Sequence, residues 1–326
     1  MSEEIPSFRP APLAVGGHRQ TLLGFWRRRK LSFRAPSEDL VVEVEPDVRL
    51  LLRASWQAGP REDRPALVIV HGLGGSDAAT YTLATSAHAW ARGFHVVRVN
   101  LRGAGDGEKL CPRLYNAGLD GDLIAALQAV ADRAPRIAVV GFSLGANLTL
   151  LALGRSRDRV PAGVYAAAAV SPPVDLAACC TELEKPGNGF YQAFFMRMLR
   201  RAYQVRQRLR PDLYALGRER RLFTVRQFDE AITAPYGGYR DAAEYYERSS
   251  SGPYLASIRV PTLLLAAADD PMIPHDSIRR FVGEGPVQCE VVPTGGHVGF
   301  VGPTTAPGDF WAAERVVAFA ESLRPS

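Results

Sequence analysis

The sequence predicts an α/β fold: a mostly parallel, doubly covered sheet with an inserted helical cap. Three observations predict it. Short, almost continuous apolar runs alternate with segments of helical length, most of those runs end in Gly, Asn or Ser, and one long Arg-, Tyr- and Phe-rich stretch interrupts the alternation. Strands that alternate with helices pair in parallel, and a parallel sheet is covered on both faces, so its strands read as unbroken apolar runs. A chain of 326 residues suits one such sheet plus an insertion.

The elements follow in order. From Leu40, "LVVEVEPDVRLLLRASW" alternates, breaks at Pro46-Asp47 and resumes, which predicts a two-stranded hairpin. "ALVIVHG", "FHVVRVN", "RIAVVGFS" and "GVYAAAAVSP" are the next four strands. Between them, "TYTLATSAHAWARG" closes on a Gly stop, and "DGDLIAALQAVADRAP" opens on acidic residues that favour a helix N-terminus and stops before Pro135. Two further strands, "VPTLLLAAADD" (260–270) and "VQCEVVPTGGH" (287–297), precede a final amphipathic helix, "DFWAAERVVAFAESL". The predicted core is therefore 1–173 and 252–326, with an N-terminal arm over 1–38, and the cap is 174–251. Within the cap, "FYQAFFMRMLRRAYQVRQRL" has helical spacing. Its stripe of Phe190, Tyr191, Phe194, Phe195, Met198 and Leu199 reads first as core packing and second as ligand contact.

Composition excludes several classes. With 47% hydrophobic and 22% charged residues the chain can bury a core and shows no sign of disorder. The longest apolar runs, "YAAAAV" (165–170) and "TLLLAAA" (262–268), fall far short of the ~20 residues a membrane helix needs. "MSEEIPSFRPAPL" opens on acidic residues and prolines without the pattern of a secretory signal, so a cytoplasmic location is expected. Cys111, Cys179, Cys180 and Cys289 form no Cys-x-x-Cys pair and no Cys/His cluster with zinc spacing, which reads as structural thiols; neither a metal nor a cofactor is expected. The whole net charge of +5 falls between Leu176 and Pro235, where eleven Lys/Arg face six Asp/Glu. The near-neutral remainder and the lack of a recognition motif argue against a nucleic-acid partner. Ten arginines between Arg197 and Arg226 face only Asp212 and Glu219. That stretch reads first as a solvated helix face and second as a peripheral contact for an anionic membrane surface or a phosphate-bearing substrate.

The chemistry centres on "VVGFSLGAN" (139–147), where Ser143 stands between Gly141 and Gly145 at the predicted junction of a strand and a helix. A chain that turns this sharply around an exposed serine has room only if the flanking positions lack side chains. Serine is a poor nucleophile until a base takes its proton, and the base needs an orienting carboxylate. Of six histidines, His297 follows a strand in "TGGHVGF", where paired glycines let a loop approach another backbone, and it is the expected base. In "AADDPMIP", Asp269 and Asp270 compete for the carboxylate; the spacing to Pro274 favours Asp270 and leaves Asp269 as a turn or capping residue. The order Ser, Asp, His is that of nucleophile-elbow enzymes. Backbone N–H groups that stabilise an oxyanion are expected from Leu144, next after the serine, and from Leu73 in "HGLGGSD", a loop that His71 is expected to orient.

These residues resemble the α/β-hydrolase superfamily, and more narrowly its YheT-like branch. "GGHRQTLLG" is similar to the branch's His-x-Gln-Thr arm, and "HGLGGS", "VNLRGAGDG", "GFSLGAN", "TVRQFDEAITAPYGGYRDAAEYYERSS", "DDPMIP" and "GGHVGF" follow in its order, from about Phe8 onward. Ala146 stands where the branch commonly has glycine, and Asn116 where it often has histidine. The resemblance implies a serine hydrolase that cleaves small-molecule carboxylic esters with medium-chain or lipid-like acyl groups, Ser143, Asp270 and His297 matching the triad positions. Some members pass the acyl group to a small alcohol. An alcohol acyltransferase or thioesterase using the same residues is therefore an alternative, as is a silent lipid-binding protein of the same fold. Oligomeric state is not indicated.

Overall fold

The chain is described by a computed structural model that covers residues 7–28 and 30–325. Met1–Pro6 and Arg29 of the expected N-terminal arm, and Ser326, lie outside the described residues.

Among the described residues eight strands form one sheet in the order β1-β2-β4-β3-β5-β6-β7-β8. They are β1 (Glu38–Glu45), β2 (Val48–Ser55), β3 (Ala66–Val70), β4 (His95–Asn100), β5 (Ile137–Phe142), β6 (Val164–Val170), β7 (Thr262–Ala267) and β8 (Val287–Val292). The β1–β2 hairpin turns through Asp47 at φ 64°, and β2 runs antiparallel to β4. β1 and β2 are also antiparallel, and the pairings from β4 through β8 are parallel.

Alternation along the strands feeds two cores. Val68 and Val70 of β3 cluster with Leu123, Leu127, Leu148 and Leu150 on one face, whereas Leu67 and Ile69 cluster with Ala84, Ala89, Val316 and Val317 on the other. Each strand residue therefore meets a helix whichever way it points, which is the physical content of an unbroken apolar run. The helices that supply these cores are α2 (Thr80–Ala91), α3 (Asp120–Ala131), α4 (Leu144–Gly154) and α11 (Trp311–Ser322), and the chain enters the described fold through α1 (Gly17–Arg28). α4 is buried from Gly145 to Gly154.

Between β6 and β7 the chain leaves the sheet through α5 (Leu176–Leu183), α6 (Gly189–Leu209), α7 (Val225–Phe228), α8 (Ala234–Gly237) and α9 (Ala242–Ser249). α10 (His275–Arg279) follows β7, and α11 (Trp311–Ser322) ends the described fold. The inserted helices carry small cores of their own, one around Met196, Tyr203, Tyr214, Phe228 and Ile232. α6 matches its expected span, but its apolar stripe divides: Tyr191 is buried, Phe190 and Phe194 are exposed, and Phe195 and Leu199 line the cavity beside Ser143. Its arginines divide as well. Arg206 is buried and donates to the Glu108 and Gly103 carbonyls at 2.9 and 3.2 Å. Arg200 donates to Leu222 O at 2.5 Å, whereas Arg197 and Arg201 are exposed.

All four cysteines are free thiols. Burial pushes the Cys179 thiol up and the Cys180 thiol up to about 11, so both stay protonated. Among the described residues no helix is long and apolar enough to cross a membrane.

Candidate functional site

Parallel register decides what meets at the strand ends. Val70 pairs with Gly141 across β3 and β5, Phe142 with Val170 across β5 and β6, and Ala267 with Val292 across β7 and β8. The loops after β3, β5, β7 and β8 therefore leave the sheet along one edge. β4 lies on one side of β3 and β5 on the other, so the loops after β3 and β5 diverge at a topological switch point, where open α/β sheets form their crevices.

Ser143 links β5 directly to α4 at φ 52°, ψ −121°, a conformation that L-residues other than glycine rarely adopt. A Cβ on Gly141 would collide with the Gly145 carbonyl and Thr149 Oγ1, and one on Gly145 with the carbonyls of Val70 and His71. Small neighbours are thus required by contact, and the turn carries the serine hydroxyl out of the sheet. His297 Nε2 lies 2.8 Å from Ser143 Oγ. Its Nδ1 lies 2.9 Å from Asp270 Oδ2. Asp270 Oδ1 accepts from the backbone N–H groups of Met272 and Ile273 at 2.9 and 3.1 Å. The Asp270 side chain is 2% exposed and that of His297 10%. With Nδ1–H directed at the carboxylate, Nε2 is left as the acceptor for the serine hydroxyl.

Asp269 turns to a different task. Its Oδ1 accepts from the N–H groups of Gly295 and Gly296 at 2.9 Å each, and its Oδ2 accepts from Thr294 Oγ1. It thereby ties the end of β7 to the loop that carries His297. Leu73 and Leu144 both line the cavity with Ser143 and His297, and their backbone N–H groups make no bond to protein among the described residues. His71 braces the loop containing Leu73: Leu101 N donates to its Nε2 at 3.2 Å, so its Nδ1–H donates to Gly72 O at 2.7 Å. Burial lowers the His71 pKa to about 4, which keeps the ring neutral in that role. The Tyr81 hydroxyl accepts from Gly72 N at 2.9 Å on the loop's other side.

Sequence reasoning missed the contribution of α1. Thr21 Oγ1 accepts from His297 N at 2.9 Å, and the buried Gln20 amide grips Val301 through Val301 N to Oε1 at 2.6 Å and Nε2 to Val301 O at 3.2 Å. Arg28 donates to the carbonyls of Val298 and Gly299 at 2.8 and 2.9 Å. The motif "GGHRQT" held this signal, but nothing local says what a Gln-Thr pair will grip.

The cavity at Ser143 is narrow, about 110 Å³, with walls from Pro173, Leu183, Phe195, Leu199, Val225 and Ile273. A second recess of about 500 Å³ adjoins it through Leu73, Tyr115, Leu199 and Thr233 and is lined by Arg197, Arg201 and Arg206. A larger surface cleft of about 820 Å³, between α5, α7 and α9, contains none of Ser143, Asp270 and His297. Among the described residues no group of three His, Cys, Asp or Glu side chains could hold a metal ion.

A family model for the alpha/beta hydrolase fold matches residues 65–303. YheT of Escherichia coli (strain K12), a candidate esterase by its name, is 32% identical over 307 residues, covering 92% of this chain and 88% of its own. The monoacylglycerol lipase of Saccharomyces cerevisiae is 31% identical over 268 residues, covering 78% of this chain and 59% of its own. This chain therefore matches about three fifths of the yeast protein's length. Among solved structures, the Pyrococcus furiosus esterase Pf2001 superposes with a TM-score of 0.57 at 18% identity over 97% of this chain and 100% of that one, a likeness of fold.

Proposed function

The chain belongs to the alpha/beta hydrolase fold family, and on that premise we propose that it is a serine hydrolase cleaving carboxylic esters of medium-chain or lipid-like acyl groups through an acyl-enzyme on Ser143. The observation that carries this reading is the chain of contacts from Ser143 Oγ to His297 Nε2 at 2.8 Å and from His297 Nδ1 to Asp270 Oδ2 at 2.9 Å.

In this reaction Ser143 Oγ attacks the ester carbonyl carbon while His297 Nε2 takes the hydroxyl proton. Asp270 holds the ring and balances the imidazolium that forms. The carbonyl oxygen, now negative, accepts from Leu73 N–H and Leu144 N–H, donors of a kind worth about 3 kcal/mol each in k-cat terms when removed singly. The C–O bond to the alcohol then breaks, and the alcohol leaves with the proton from Nε2. Water enters, gives a proton to Nε2, attacks the acyl carbon and releases the acid, restoring the Ser143 hydroxyl. The helices of 174–251 act as the cap. Phe195, Leu199 and Val225 from this segment supply apolar wall beside Ser143, which suits an alkyl chain with few polar demands.

A fluorophosphonate probe together with p-nitrophenyl esters from acetate to palmitate tests the proposal. Wild-type protein is expected to label and to turn over medium-chain esters, and Ser143→Ala to lose both, with kcat lower by about 10⁴-fold or more. Wild-type protein that neither labels nor hydrolyses overturns it.

A further inference from the structure

One side chain stands between the serine's cavity and the large cleft on the inserted helices. Tyr246 of α9 lines the cavity of about 110 Å³ that Ser143 and His297 also line, and it lines the cleft of about 820 Å³ between α5, α7 and α9. Among the described residues no other lines both. At this point the wall between the two spaces is a single aromatic ring. Tyr246 is 4% exposed and is held from three elements. Its hydroxyl donates to Oδ2 of Asp229, just after α7, at 2.8 Å and lies 3.3 Å from Cys180 Sγ on α5. The Arg226 guanidinium of α7 sits 5.8 Å from the centroid of the ring. A buried phenol bonded to a carboxylate is costly to displace, so the ring keeps its place.

The cavity has two ends of different character. At Leu73 and Leu199 it adjoins the recess lined by Arg197, Arg201 and Arg206, where an alkyl chain would strip water from guanidinium groups and give them no partner in exchange. At the other end Leu176, Cys180 and Val225 line the cavity and pack in one apolar cluster with Tyr246. Leu144, the residue after Ser143, packs against that same cluster, so this apolar path begins at the nucleophile. We propose that Tyr246 is the end wall of the acyl pocket and sets the longest alkyl chain that the Ser143 cavity accepts. This rests on the reading of that cavity as an ester site, and it makes Tyr246 a specificity-determining residue. Beyond the ring, Leu222, Ala231, Ala242 and Ala243 line the cleft. Shortening the side chain at position 246 therefore joins the two spaces and lets a longer chain run on over apolar surface.

Two readouts test it, each a ratio of palmitoyl to octanoyl compound: kcat/KM for the p-nitrophenyl esters, and calorimetric affinity for the free acids. Wild-type protein is expected to favour the octanoyl compound in both. In Tyr246→Ala both ratios are expected to rise by about tenfold or more, because each methylene that gains apolar cover is worth about fourfold. Tyr246→Leu is expected to give a smaller rise and keeps the test valid if Tyr246→Ala does not fold. Tyr246→Phe retains the ring, so its ratios are expected to stay within about twofold of the wild type. Adding Ala243→Trp to Tyr246→Ala refills the cleft one helical turn away and is expected to cancel the rise. A wild type that favours the palmitoyl compounds or neither binds nor turns over either length, unchanged ratios in both truncations, an equal rise in Tyr246→Phe, or a rise that survives Ala243→Trp each overturns the proposal. The affinity ratio needs no turnover: wild-type protein that hydrolyses neither ester but whose acid affinities follow this pattern refutes the esterase reading and leaves the end wall standing. Turnover of both esters with ratios unmoved by truncation does the reverse.

Discussion

Strain collects at single residues around the serine. Ser143 at φ 52° is followed in space by Val298 at φ 53°, a β-branched residue directly after His297 in a region such residues avoid. Val298 is held there from both sides: its N–H donates to Ser171 Oγ at 3.2 Å, and its carbonyl accepts from Arg28. Burial without a cation partner sets the behaviour of Asp229, raising its pKa from 3.8 to about 6. A carboxyl whose folded pKa lies above its unfolded value contributes its full stability below the unfolded pKa, and that contribution is lost as pH rises through the folded one. Between pH 4 and pH 7 the wild type is therefore expected to lose about 2 kcal/mol that Asp229→Asn does not lose. Urea unfolding of both proteins at pH 4 and pH 7 measures the difference, and parallel pH profiles contradict it. The sharp turn at Ser143 and its glycines were legible in the sequence because Gly-x-Ser-x-Gly is a local steric requirement. The burial of Asp229 was not, since it depends on which helices close over it.

At the scale of elements, α1 shows how a segment outside the sheet can shape its site. Its Gln20 and Thr21 bond the backbone at Val301 and His297, and a Cβ on Gly296 would collide with Gly17 O and Thr21 Oγ1. Helix and loop pack backbone to backbone. Thr21→Val keeps the side-chain shape but leaves the His297 N–H without its acceptor, an arrangement that destabilises by about 1–3 kcal/mol when buried. The expected result is a lower kcat, by roughly tenfold, with KM nearly unchanged, because the loop's position matters to proton transfer more than to substrate binding. Steady-state kinetics on a p-nitrophenyl ester checks this, and an unchanged kcat contradicts it. The strands and the long helices α2, α3, α6 and α11 were readable from periodicity. The division of the α6 stripe into buried, cavity-lining and exposed residues was not, because one amphipathic face meets three different surroundings.

Across the whole molecule, the inserted helices must be anchored if the cavity is to keep its shape. Asn147 does part of this from the buried interior of α4: its Nδ2 donates to Ser249 O at 2.8 Å and Ala117 O at 3.3 Å, and its Oδ1 accepts from Ser251 N at 3.0 Å. One side chain thus joins the helix after Ser143, the loop after β4 and the end of the insertion. Asn147→Ala removes these partners and leaves three backbone groups unpaired, so a loss of about 3 kcal/mol is expected. Thermal unfolding should show a lower Tm, and limited proteolysis should cut earlier between α5 and α9. A variant as stable and as protease-resistant as the wild type contradicts the anchoring role.

The sequence by itself determined the α/β class, the order of the strands and the places where Ser143, Asp270 and His297 stand along the chain, because each of these follows from local periodicity, turn sterics and residue type. Only the tertiary structure decided that Asp270 and not Asp269 meets His297, that α1 braces that histidine, and that Asp229 and Tyr115 share the serine's cavity. Those outcomes depend on register between distant strands and on which helix faces close over the strand ends, and contacts between residues far apart in sequence leave no periodic trace in the segments that make them.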